Sequence, residues 1–538
     1  MFAVGRLYCS AAPLLPVPRR ARVVIFNALR AKKVGFLTPV TGASDRNKPW
    51  SRLGSSAPGK TPIDAPEFEV VVPKTQSSPL REAAISEFVP LPQLNDENVP
   101  QTFGELGVVE GLEAALMANG IRQPTPVQIA SVGAILDEKD AAIQCYTGSG
   151  KTLAYLIPIL MMALTRAEEE MESGTPDGEF GQLQALIVAP SRELAMQIVR
   201  VAKSLLPEEA HPAIHQCIGG ANYARQVEGL KQKPIIVVGT PGRLSDHSRA
   251  GRLTTHKCPI LVLDEVDQLL AQHFTEDMLR ITEHVGKKLP HRQTVLVSAT
   301  LTPNAVKKVG QWAPGSEFLF IGSQESMTLS PRVEETSTSP PQWGWGSKPS
   351  TSASAGGAYA ESAALSLPPT LKHGYVVVPV ARKVDMLRRL IYGMDAKRAM
   401  VFMNFQKRLK DTLHKLAAKK MEVGSMHGES TKLEREQTLK NFREGKYRAL
   451  IVSDVVARGV DVEECDAVFN LELPNDGAHY AHRAGRTGRM GREGWVVSLV
   501  SPNEVFVISK LAKKIGIDIH EVEVGGGEVK VKGAFRKF

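Results

Sequence analysis

Short apolar runs alternate with helix-like segments along most of this chain. In the first half these runs include Ala185–Val188, Ile235–Val238 and Leu261–Leu263. Continuous apolar strands separated by helices are typical of a parallel sheet that helices cover on both faces. A second series of apolar runs begins at Tyr375 and ends at Val497. The pattern therefore predicts an α/β protein with two parallel-sheet domains.

Segments that lack this pattern divide the chain. Pro, Ser and charged residues without periodicity predict a disordered linker over residues 45–95. A stretch rich in Ser, Pro, Gly and Ala predicts a flexible linker over residues 328–369, because its composition cannot bury a core. The two domains are accordingly predicted over residues 96–327 and 370–522, and a short Gly-rich basic tail over residues 523–538.

Positive charge is concentrated at the beginning of the sequence. The formal net charge is +9, but seven of the 66 Lys and Arg residues precede the first acidic residue, Asp45. The net charge is therefore weak evidence for a nucleic-acid partner. Residues 1–44 are acid-free and Arg-rich and resemble an organellar transit peptide, with a disordered basic tail as the alternative. Sparse serine in this segment favours the mitochondrion over the chloroplast.

Cysteine spacing and hydropathy argue against other classes of protein. The five cysteines are scattered and include no CxxC pair, which disfavours a disulfide framework or a zinc site. No apolar run approaches the length that spans a bilayer, so no membrane partner is expected. We expect a monomer.

A glycine-rich motif, CYTGSGKT at Cys145–Thr152, follows an apolar run and precedes a helix-like segment. A strand, a glycine-rich turn and a helix N-terminus together form a cradle for phosphate. Gly148 and Gly150 permit a close approach of the backbone. Lys151 adds positive charge, and Thr152 offers a hydroxyl to Mg²⁺. An ordinary glycine-rich turn is the alternative, and it is disfavoured because GSGKT after an apolar strand is rare.

A second motif, DEVD at Asp264–Asp267, directly follows the apolar run Leu261–Leu263. In a doubly wound sheet, ligands bind beyond the carboxyl ends of the strands. There, Asp264 can hold Mg²⁺ and Glu265 can orient a water molecule against a γ-phosphate. A solvated acidic turn is the alternative, which the phosphate motif upstream disfavours.

Several short motifs occur in a fixed order along the chain. They are CYTGSGKT, PSRELA (Pro190–Ala195), TPGR (Thr240–Arg243), DEVD, SAT (Ser298–Thr300), SDVVARGVD (Ser453–Asp461) and HRAGRTGR (His482–Arg489). Their order resembles that of the DEAD-box RNA helicases, and Phe103 with Gly120–Gln128 resembles the Q motif of that family. The resemblance extends to about Leu511 and implies two RecA-like domains of helicase superfamily 2. With its transit-like beginning, the chain most resembles the plant organellar members that carry a DEVD box.

The resemblance implies an ATP site to which both domains contribute. Gln128 would bond the adenine edge, Phe103 would stack on the base and Asp461 would bond the ribose. Arg486 and Arg489 would be arginine fingers that reach the γ-phosphate from domain 2. A helix-surface amide at Gln128 and a core aromatic at Phe103 are the alternatives. The implied catalytic residues are Lys151, Asp264, Glu265, Arg486 and Arg489. The implied nucleotide-binding residues of the phosphate motif are Cys145, Tyr146, Thr147, Gly148, Ser149, Gly150, Lys151 and Thr152.

The resemblance also implies contacts with the RNA backbone. Helix N-termini, glycine N–H groups and arginines suit phosphates, which carry no sequence information. The implied RNA-binding residues are Pro190, Ser191, Arg192, Gly219, Gly220, Thr240, Pro241, Gly242, Arg243, Arg458 and Gly459. Ser298, Thr300 and His482 would couple domain closure to strand separation. A purely structural histidine is an equal alternative for His482.

Four positions depart from the usual pattern of the family. Val266 replaces the alanine of DEAD, and Glu429 stands where an aspartate is usual. Asn404 and Ser453 stand where threonines are common. The departures at Asn404, Ser453 and Glu429 concern RNA contacts of domain 2. The change at Val266 leaves the metal and water residues, Asp264 and Glu265, unaltered.

The implied function is that of an ATP-dependent RNA helicase in an organelle. ATP and Mg²⁺ would be its cofactors, and its partners would be RNA, bound with little sequence specificity, and organellar ribonucleoproteins. ATP and RNA would close the two domains together, and hydrolysis would reopen them. The alternative is an ATP-gated RNA clamp that assembles ribonucleoprotein with little unwinding. A transport or metabolic enzyme with a phosphate loop is disfavoured, because it needs neither TPGR nor HRAGRTGR.

Overall fold

The computed structural model describes residues 83–93, 99–172, 182–323, 367–368, 370–404, 406–454, 465–488, 492–525 and 528–532. The transit peptide predicted over residues 1–44 lies outside these residues, as does nearly all of the linker predicted over residues 328–369. The described residues form two eight-stranded, predominantly parallel sheets. This confirms the predicted fold class.

Each sheet takes eight consecutive strands of the chain. The first sheet contains β1 (Ala84–Pro90), β2 (Ala141–Gln144), β3 (Ala185–Val188), β4 (Ile214–Cys217), β5 (Ile236–Gly239), β6 (Ile260–Asp264), β7 (Gln293–Ser298) and β8 (Glu317–Gly322). The second contains β9 (Leu371–Val377), β10 (Ala399–Met403), β11 (Val423–Met426), β12 (Ala449–Ser453), β13 (Ala467–Asn470), β14 (Gly494–Val500), β15 (His520–Gly525) and β16 (Glu528–Val531).

The helices of the described residues connect these strands. In domain 1 they are α1 (Glu110–Ala118), α2 (Pro126–Leu136), α3 (Lys151–Glu172), α4 (Arg192–Ser204), α5 (Tyr223–Lys231), α6 (Pro241–Arg249), α7 (Val266–Leu269), α8 (Thr275–His284) and α9 (Pro303–Val309). In domain 2 they are α10 (Lys383–Gly393), α11 (Gln406–Ala418), α12 (Lys432–Arg443), α13 (Gly477–Ala484) and α14 (Val505–Ile515). No helix in the described part of the chain is long and apolar enough to cross a bilayer.

The first sheet is wholly parallel and has the strand order β1-β8-β2-β7-β6-β3-β5-β4. Because all its strands point the same way, their carboxyl ends meet at one edge. Strands β2 and β6 flank β7, so Gln144 and Asp264 end strands that are about 10 Å apart. The phosphate motif and the acidic motif therefore open at the same edge of sheet 1.

The second sheet has the order β11-β12-β10-β13-β14-β9-β15-β16 and is parallel except for the β15–β16 hairpin. Strands β12, β10 and β13 are direct neighbours, so Asn404, Asp454 and Asn470 lie together at or just beyond their carboxyl ends. HRAGRTGR follows β13 in the chain, and its first three residues form the end of α13. The described residues of the domain 2 motifs thus lie at one edge, as those of domain 1 do.

Apolar side chains cover both faces of each sheet. Every residue of β6, β10 and β12 is buried. Within β3, Ile187 belongs to the core on one face, whereas Leu186 and Val188 belong to the core on the other. Burial on both faces explains why these strands appear as continuous apolar runs in the sequence.

Strand β1 occupies residues 84–90, inside the segment 45–95 that was predicted as a linker, and the prediction is corrected there. The strand is at the edge of sheet 1 and pairs in parallel with β8. None of its seven side chains is fully buried. Backbone hydrogen bonds to β8 and the partly buried Ile85, Phe88 and Val89 hold the strand, and its exposed positions interrupt the apolar run in the sequence.

The β15–β16 hairpin brings a similar correction to the basic tail predicted over residues 523–538. Val522 and Val529 are buried in the domain 2 core, and Val524 pairs with Val529 across the hairpin. Only two apolar side chains anchor each strand, too few to stand out in a Gly-rich segment. The outer limits of the two domains otherwise stay predictions.

Candidate active site

Two glycines shape the loop between β2 and α3. Gly148 has φ +88° and Gly150 has φ +93°, which only glycine adopts readily. A Cβ at Gly150 would also lie 2.5 Å from Nε2 of Gln128. Helix α3 begins at Lys151, directly after the loop. The sequence thus places a helix N-terminus behind a tight glycine turn, an arrangement that suits an anion.

The ammonium group of Lys151 is held inside this loop. Its Nζ donates hydrogen bonds to the carbonyl oxygens of Cys145 (2.7 Å) and Tyr146 (2.8 Å). Burial lowers the pKa of Lys151, while the nearby Cys145, Asp264 and Glu265 act in the opposite direction. The ammonium group is therefore held by the backbone of its own loop, beside three acidic or ionisable side chains.

Asp264 and Glu265 lie at the end of β6. Burial, followed by the charge of Glu265, raises the pKa of Asp264 to about 6, although Tyr155 donates a hydrogen bond to its Oδ2 (2.9 Å). Glu265 has φ +49° and ψ +54°, and its N–H donates to Oδ1 of Asp264 (2.9 Å). Left-handed backbone at a residue other than glycine is strained and is concentrated at functional sites.

Asp267 joins the two domains. Its carboxylate accepts hydrogen bonds from Ser298 Oγ (2.7 Å) and Thr300 Oγ1 (2.6 Å) in domain 1, and its Oδ2 lies 2.8 Å from Nε2 of His482 in domain 2. Burial alone would raise the pKa of Asp267, but the charge of His482 and these hydrogen bonds hold it well below its usual range. The three predicted coupling residues therefore meet at one carboxylate.

Helix α13 brings HRAGRTGR to the phosphate motif. The helix begins after Asp476, whose carboxylate accepts the N–H of His479 (2.8 Å). Gly485, just beyond its end, lies against Thr147, and a Cβ at Gly485 would be 1.2 Å from Thr147 Oγ1. Arg486 follows and is buried. The two motifs that were predicted to share the ATP site are thus in contact.

A second contact between the domains joins PSRELA to α12. Nη1 of Arg435 donates to Oε1 of Glu193 (2.6 Å), and both side chains are about one-fifth exposed. Nη2 of the same arginine donates to the carbonyl oxygen of Gly428 (2.9 Å). Glu193 is therefore fixed from across the interdomain cleft.

Three of the predicted RNA-binding motifs converge at the carboxyl ends of β3, β5 and β4. The guanidinium of Arg192 lies over Gly219 and Gly220, since a Cβ at Gly220 would be 2.3 Å from its Nη1. Arg243 donates to the carbonyl oxygen of Ala221 (3.3 Å). The motif residues Pro190, Ser191, Thr240, Pro241 and Gly242 lie at the starts of α4 and α6.

The Q-motif residues lie close to the phosphate loop. Oε1 of Gln128 accepts the N–H of Thr125 (2.9 Å), and its Nε2 donates to the carbonyl oxygen of Gly150 (3.1 Å). Phe103 is only 1 % exposed and packs in the core of domain 1. The adenine roles of Gln128 and Phe103 stay predictions.

Four predicted site residues lie outside the described part of the chain: Arg458, Gly459, Asp461 and Arg489. Three further residues gained importance only from the structure. Asp267 could have been noticed as the last member of DEVD, and Arg483 as a member of HRAGRTGR. Arg435 belongs to none of the sequence motifs, so the sequence does not indicate its importance.

Comparisons with known proteins agree with this arrangement. The family model described as DEAD/DEAH box helicase matches residues 125–309, and the model described as helicase conserved C-terminal domain matches residues 382–491. The chain is 43% identical over 444 residues to the DEAD-box ATP-dependent RNA helicase 47, mitochondrial, of Arabidopsis thaliana, covering 80% of this chain and 79% of that protein.

Two further similarities extend this finding. The DEAD-box ATP-dependent RNA helicase 47A of Oryza sativa subsp. japonica is 44% identical over 449 residues, covering 80% of this chain and 76% of that protein. Among solved structures, S. cerevisiae Dbp5 bound to RNA and ADP BeF3 superposes with a TM-score of 0.61 at 25% identity, covering 79% of this chain and 96% of that one.

Proposed function

The chain belongs to the DEAD-box family of ATP-dependent RNA helicases, and we propose that it uses ATP hydrolysis to separate short RNA duplexes or to remodel RNA–protein complexes in mitochondria. It is accordingly an ATP-hydrolysing enzyme. The observation that carries the proposal is the junction at Asp267, where Ser298 and Thr300 of domain 1 meet His482 of domain 2. Hydrolysis can drive work on RNA when closure of two domains completes the site.

Mg²⁺ would be held by Thr152 and Asp264. The residues fit such an ion, because the buried Asp264 has a raised pKa beside the charge of Glu265 and a divalent cation would offset that repulsion. When bound, the ion would neutralise charge on the phosphates of ATP. Both ligands are oxygen donors, the type that Mg²⁺ prefers.

In this proposal the chain's own groups divide the work of hydrolysis. Lys151 leaves its two backbone carbonyls to bind phosphate oxygens. Glu265, whose Oε2 accepts a hydrogen bond from Gln268, orients the attacking water. Arg486 and Arg489 act from domain 2 on the charge that develops on the transferring phosphoryl group. Neither domain alone holds the full set.

RNA is proposed to bind along the edge formed by β3, β5 and β4. Arg192, Arg243 and the glycine pair Gly219–Gly220 offer positive charge and backbone N–H groups close together. Contacts of this type fix the sugar–phosphate backbone and do not distinguish bases. The Dbp5 structure to which the fold is similar contains RNA, which supports an RNA partner.

The mitochondrial assignment rests on two supports. The similar Arabidopsis protein is named as mitochondrial, and residues 1–44 of this chain are acid-free and Arg-rich. A fluorescent protein fused behind residues 1–60 tests the assignment. Signal in mitochondria supports it, whereas signal in chloroplasts or throughout the cytosol contradicts it.

The helicase proposal is tested on the full chain with the Glu265→Gln variant. We expect RNA-stimulated ATPase activity to fall ~10²–10⁴-fold, the usual contribution of a general base, while ATP binding persists. Duplex separation is measured in parallel for the unaltered protein. RNA-stimulated ATPase without duplex separation would favour the clamp, and normal turnover by the variant would contradict the role of Glu265.

A further inference from the structure

One guanidinium inside domain 2 has four hydrogen-bond partners on three segments of the chain. The side chain of Arg483, in α13, is 1 % exposed. Its Nε and Nη2 donate to the two carboxylate oxygens of Asp454, each at 2.6 Å. Nη1 donates to Asn470 Oδ1 (3.1 Å) and to the carbonyl oxygen of Glu472 (2.7 Å). Nη2 also donates to Asn404 Oδ1 (2.6 Å).

These partners come from three neighbouring strands. Asn404 follows β10, Asp454 follows β12, and Asn470 is the last residue of β13. The strands lie side by side in the order β12-β10-β13. Arg483 therefore ties α13 to the carboxyl ends of the three strands at the functional edge of sheet 2.

The residues close to Arg483 in the sequence contact domain 1, whereas Arg483 itself binds residues of domain 2. His482 reaches Asp267 (2.8 Å), and Gly485 lies against Thr147 of the phosphate loop. Arg486, the proposed arginine finger, follows immediately. Arg483 thus joins this segment to domain 2, together with the buried Tyr480 and Ala484 and with Thr487, whose Oγ1 donates to the carbonyl oxygen of Cys465 (2.6 Å).

Stability alone is a weak reason for such an arrangement. Removing a charged pair from water costs about as much as the pairing returns, so buried ion pairs are often replaceable by apolar side chains without loss. The guanidinium contributes a defined orientation of the side chains and backbone that it binds, because its planar fork fixes the angles of several hydrogen bonds at once. A lysine offers the same charge without the fork.

We propose that Arg483 is a positioning residue for ATP hydrolysis: its fork holds α13 in the orientation in which His482 reaches Asp267 and Arg486 reaches the phosphate site. The proposal rests on the proposed helicase function, because ATP turnover is its readout. It concerns only the geometry of domain 2, since Arg483 contacts neither the phosphate loop nor the acidic motif.

The test compares Arg483→Lys with a matched control, Arg448→Lys, in the full chain. Arg448 belongs to the same domain, donates to the carbonyl oxygen of Ala396 (2.9 Å), pairs with Asp395 (3.0 Å) and lies over the ring of Tyr392 (4.5 Å), at the opposite edge of sheet 2. We expect Arg483→Lys to lower the RNA-stimulated kcat ~10–100-fold with KM for ATP within about twofold. We expect Arg448→Lys to leave kcat within about twofold.

A double-mutant cycle with His482→Ala separates positioning from a general structural role. If Arg483 acts through His482 and its neighbours, Arg483→Lys costs much less in the His482→Ala background than alone. Additive losses, or an equal loss of kcat in Arg448→Lys, would overturn the proposal. Should Arg483→Lys fail to fold, Asn404→Ala removes one acceptor of the fork and is expected to lower kcat with KM unchanged.

Failure of the underlying function gives a different result. Without RNA-stimulated ATPase in the unaltered protein, the helicase proposal itself fails. With a normal unaltered protein and normal turnover in both Arg483→Lys and Asn404→Ala, only the positioning proposal fails.

Discussion

The functional edges of the two sheets are built by different means. At the edge of sheet 1, backbone geometry dominates: Gly148, Gly150 and Glu265 have positive φ, and backbone carbonyls hold Lys151. At the edge of sheet 2, side chains dominate, because Arg483 binds four partners from three separate segments. An edge made of backbone is specified locally, whereas an edge made of side chains depends on distant residues.

The two edges should therefore be sensitive to different kinds of substitution. In domain 1, the geometry of the phosphate motif depends on positions at which an added Cβ or a changed φ is unfavourable. In domain 2, the geometry of the edge depends on pairs of side chains, so that either partner can be changed alone. Both kinds of dependence occur at the interface between the domains. Gly485 leaves no room for a Cβ beside Thr147, whereas the imidazole of His482 makes the contact with Asp267.

Among changes that test this comparison of the two domains, the largest effect is expected from adding one methyl group at the interface. In Gly485→Ala the new Cβ would lie 1.2 Å from Thr147 Oγ1, so the contact with the phosphate loop cannot form as it stands. Overpacking typically costs about 1–3 kcal/mol, and we expect RNA-stimulated ATPase to fall ~10–100-fold or more. Affinity for ATP without RNA is expected to persist in a fluorescent-nucleotide titration.

Gly111→Ala serves as the control for this change, because no atom lies within 4 Å of its added Cβ. Equal activity of Gly485→Ala and Gly111→Ala would show that the close contact with Thr147 is not needed for turnover.

A somewhat smaller effect is expected from breaking the junction on its domain 1 side. Asp267→Asn removes the charge that three side chains share, and a hydrogen bond to a charged group contributes about 1.5–3 kcal/mol. We expect duplex separation to fall ~10-fold or more while ATP affinity in the absence of RNA changes little. Parallel loss of ATP affinity would mean that Asp267 serves domain 1 alone.

The ion pair between Glu193 and Arg435 is expected to matter less. Both side chains are partly exposed, and exposed pairs contribute up to about 1 kcal/mol. Glu193→Gln and Arg435→Gln are each expected to raise the RNA concentration for half-maximal ATPase up to about fivefold. The double variant should lose no more than either single one, as a double-mutant cycle measures. Additive losses would show that the two residues act separately.

The smallest effect concerns acid stability, in which the two domains should behave alike. Burial lowers the pKa of His247 in domain 1 and of His373 in domain 2 to about 4. A lowered histidine pKa means that stability is full above about pH 6.5 and falls as pH decreases towards 4. Each pH unit in that window costs at most about 1.4 kcal/mol per histidine. Denaturant unfolding of His373→Gln at pH 7 and 5 should show a smaller difference than the unaltered protein; an unchanged difference would contradict the assignment.

Much of domain 1 could be predicted because its chemistry is local in the chain. The phosphate motif couples glycine spacing to the start of α3, and DEVD follows directly from the apolar strand β6. The parallel sheets were also predictable, since strands buried on both faces must be continuously apolar. In each case the residues that act together are neighbours in sequence.

The remainder required contacts between distant residues. HRAGRTGR contains three arginines, and the sequence does not tell that Arg483 is the one that binds Asp454, Asn470 and Asn404 inside domain 2. Arg435 and Glu193 are 242 positions apart, and nothing in either local sequence indicates that they pair. Strand β1 escaped prediction because its partner β8 lies more than 200 residues away.

That separation between β1 and β8 has a consequence for how the chain is made. Ribosomes add about 5–20 residues per second, so β1 waits roughly 10–50 seconds for the strand with which it pairs. Until then its backbone groups are an open template for other chains. Glu87 and Pro90 within the strand disfavour such pairing, because charge and proline both oppose edge-to-edge association. A nascent chain thus carries its own protection against aggregation until the sheet is complete.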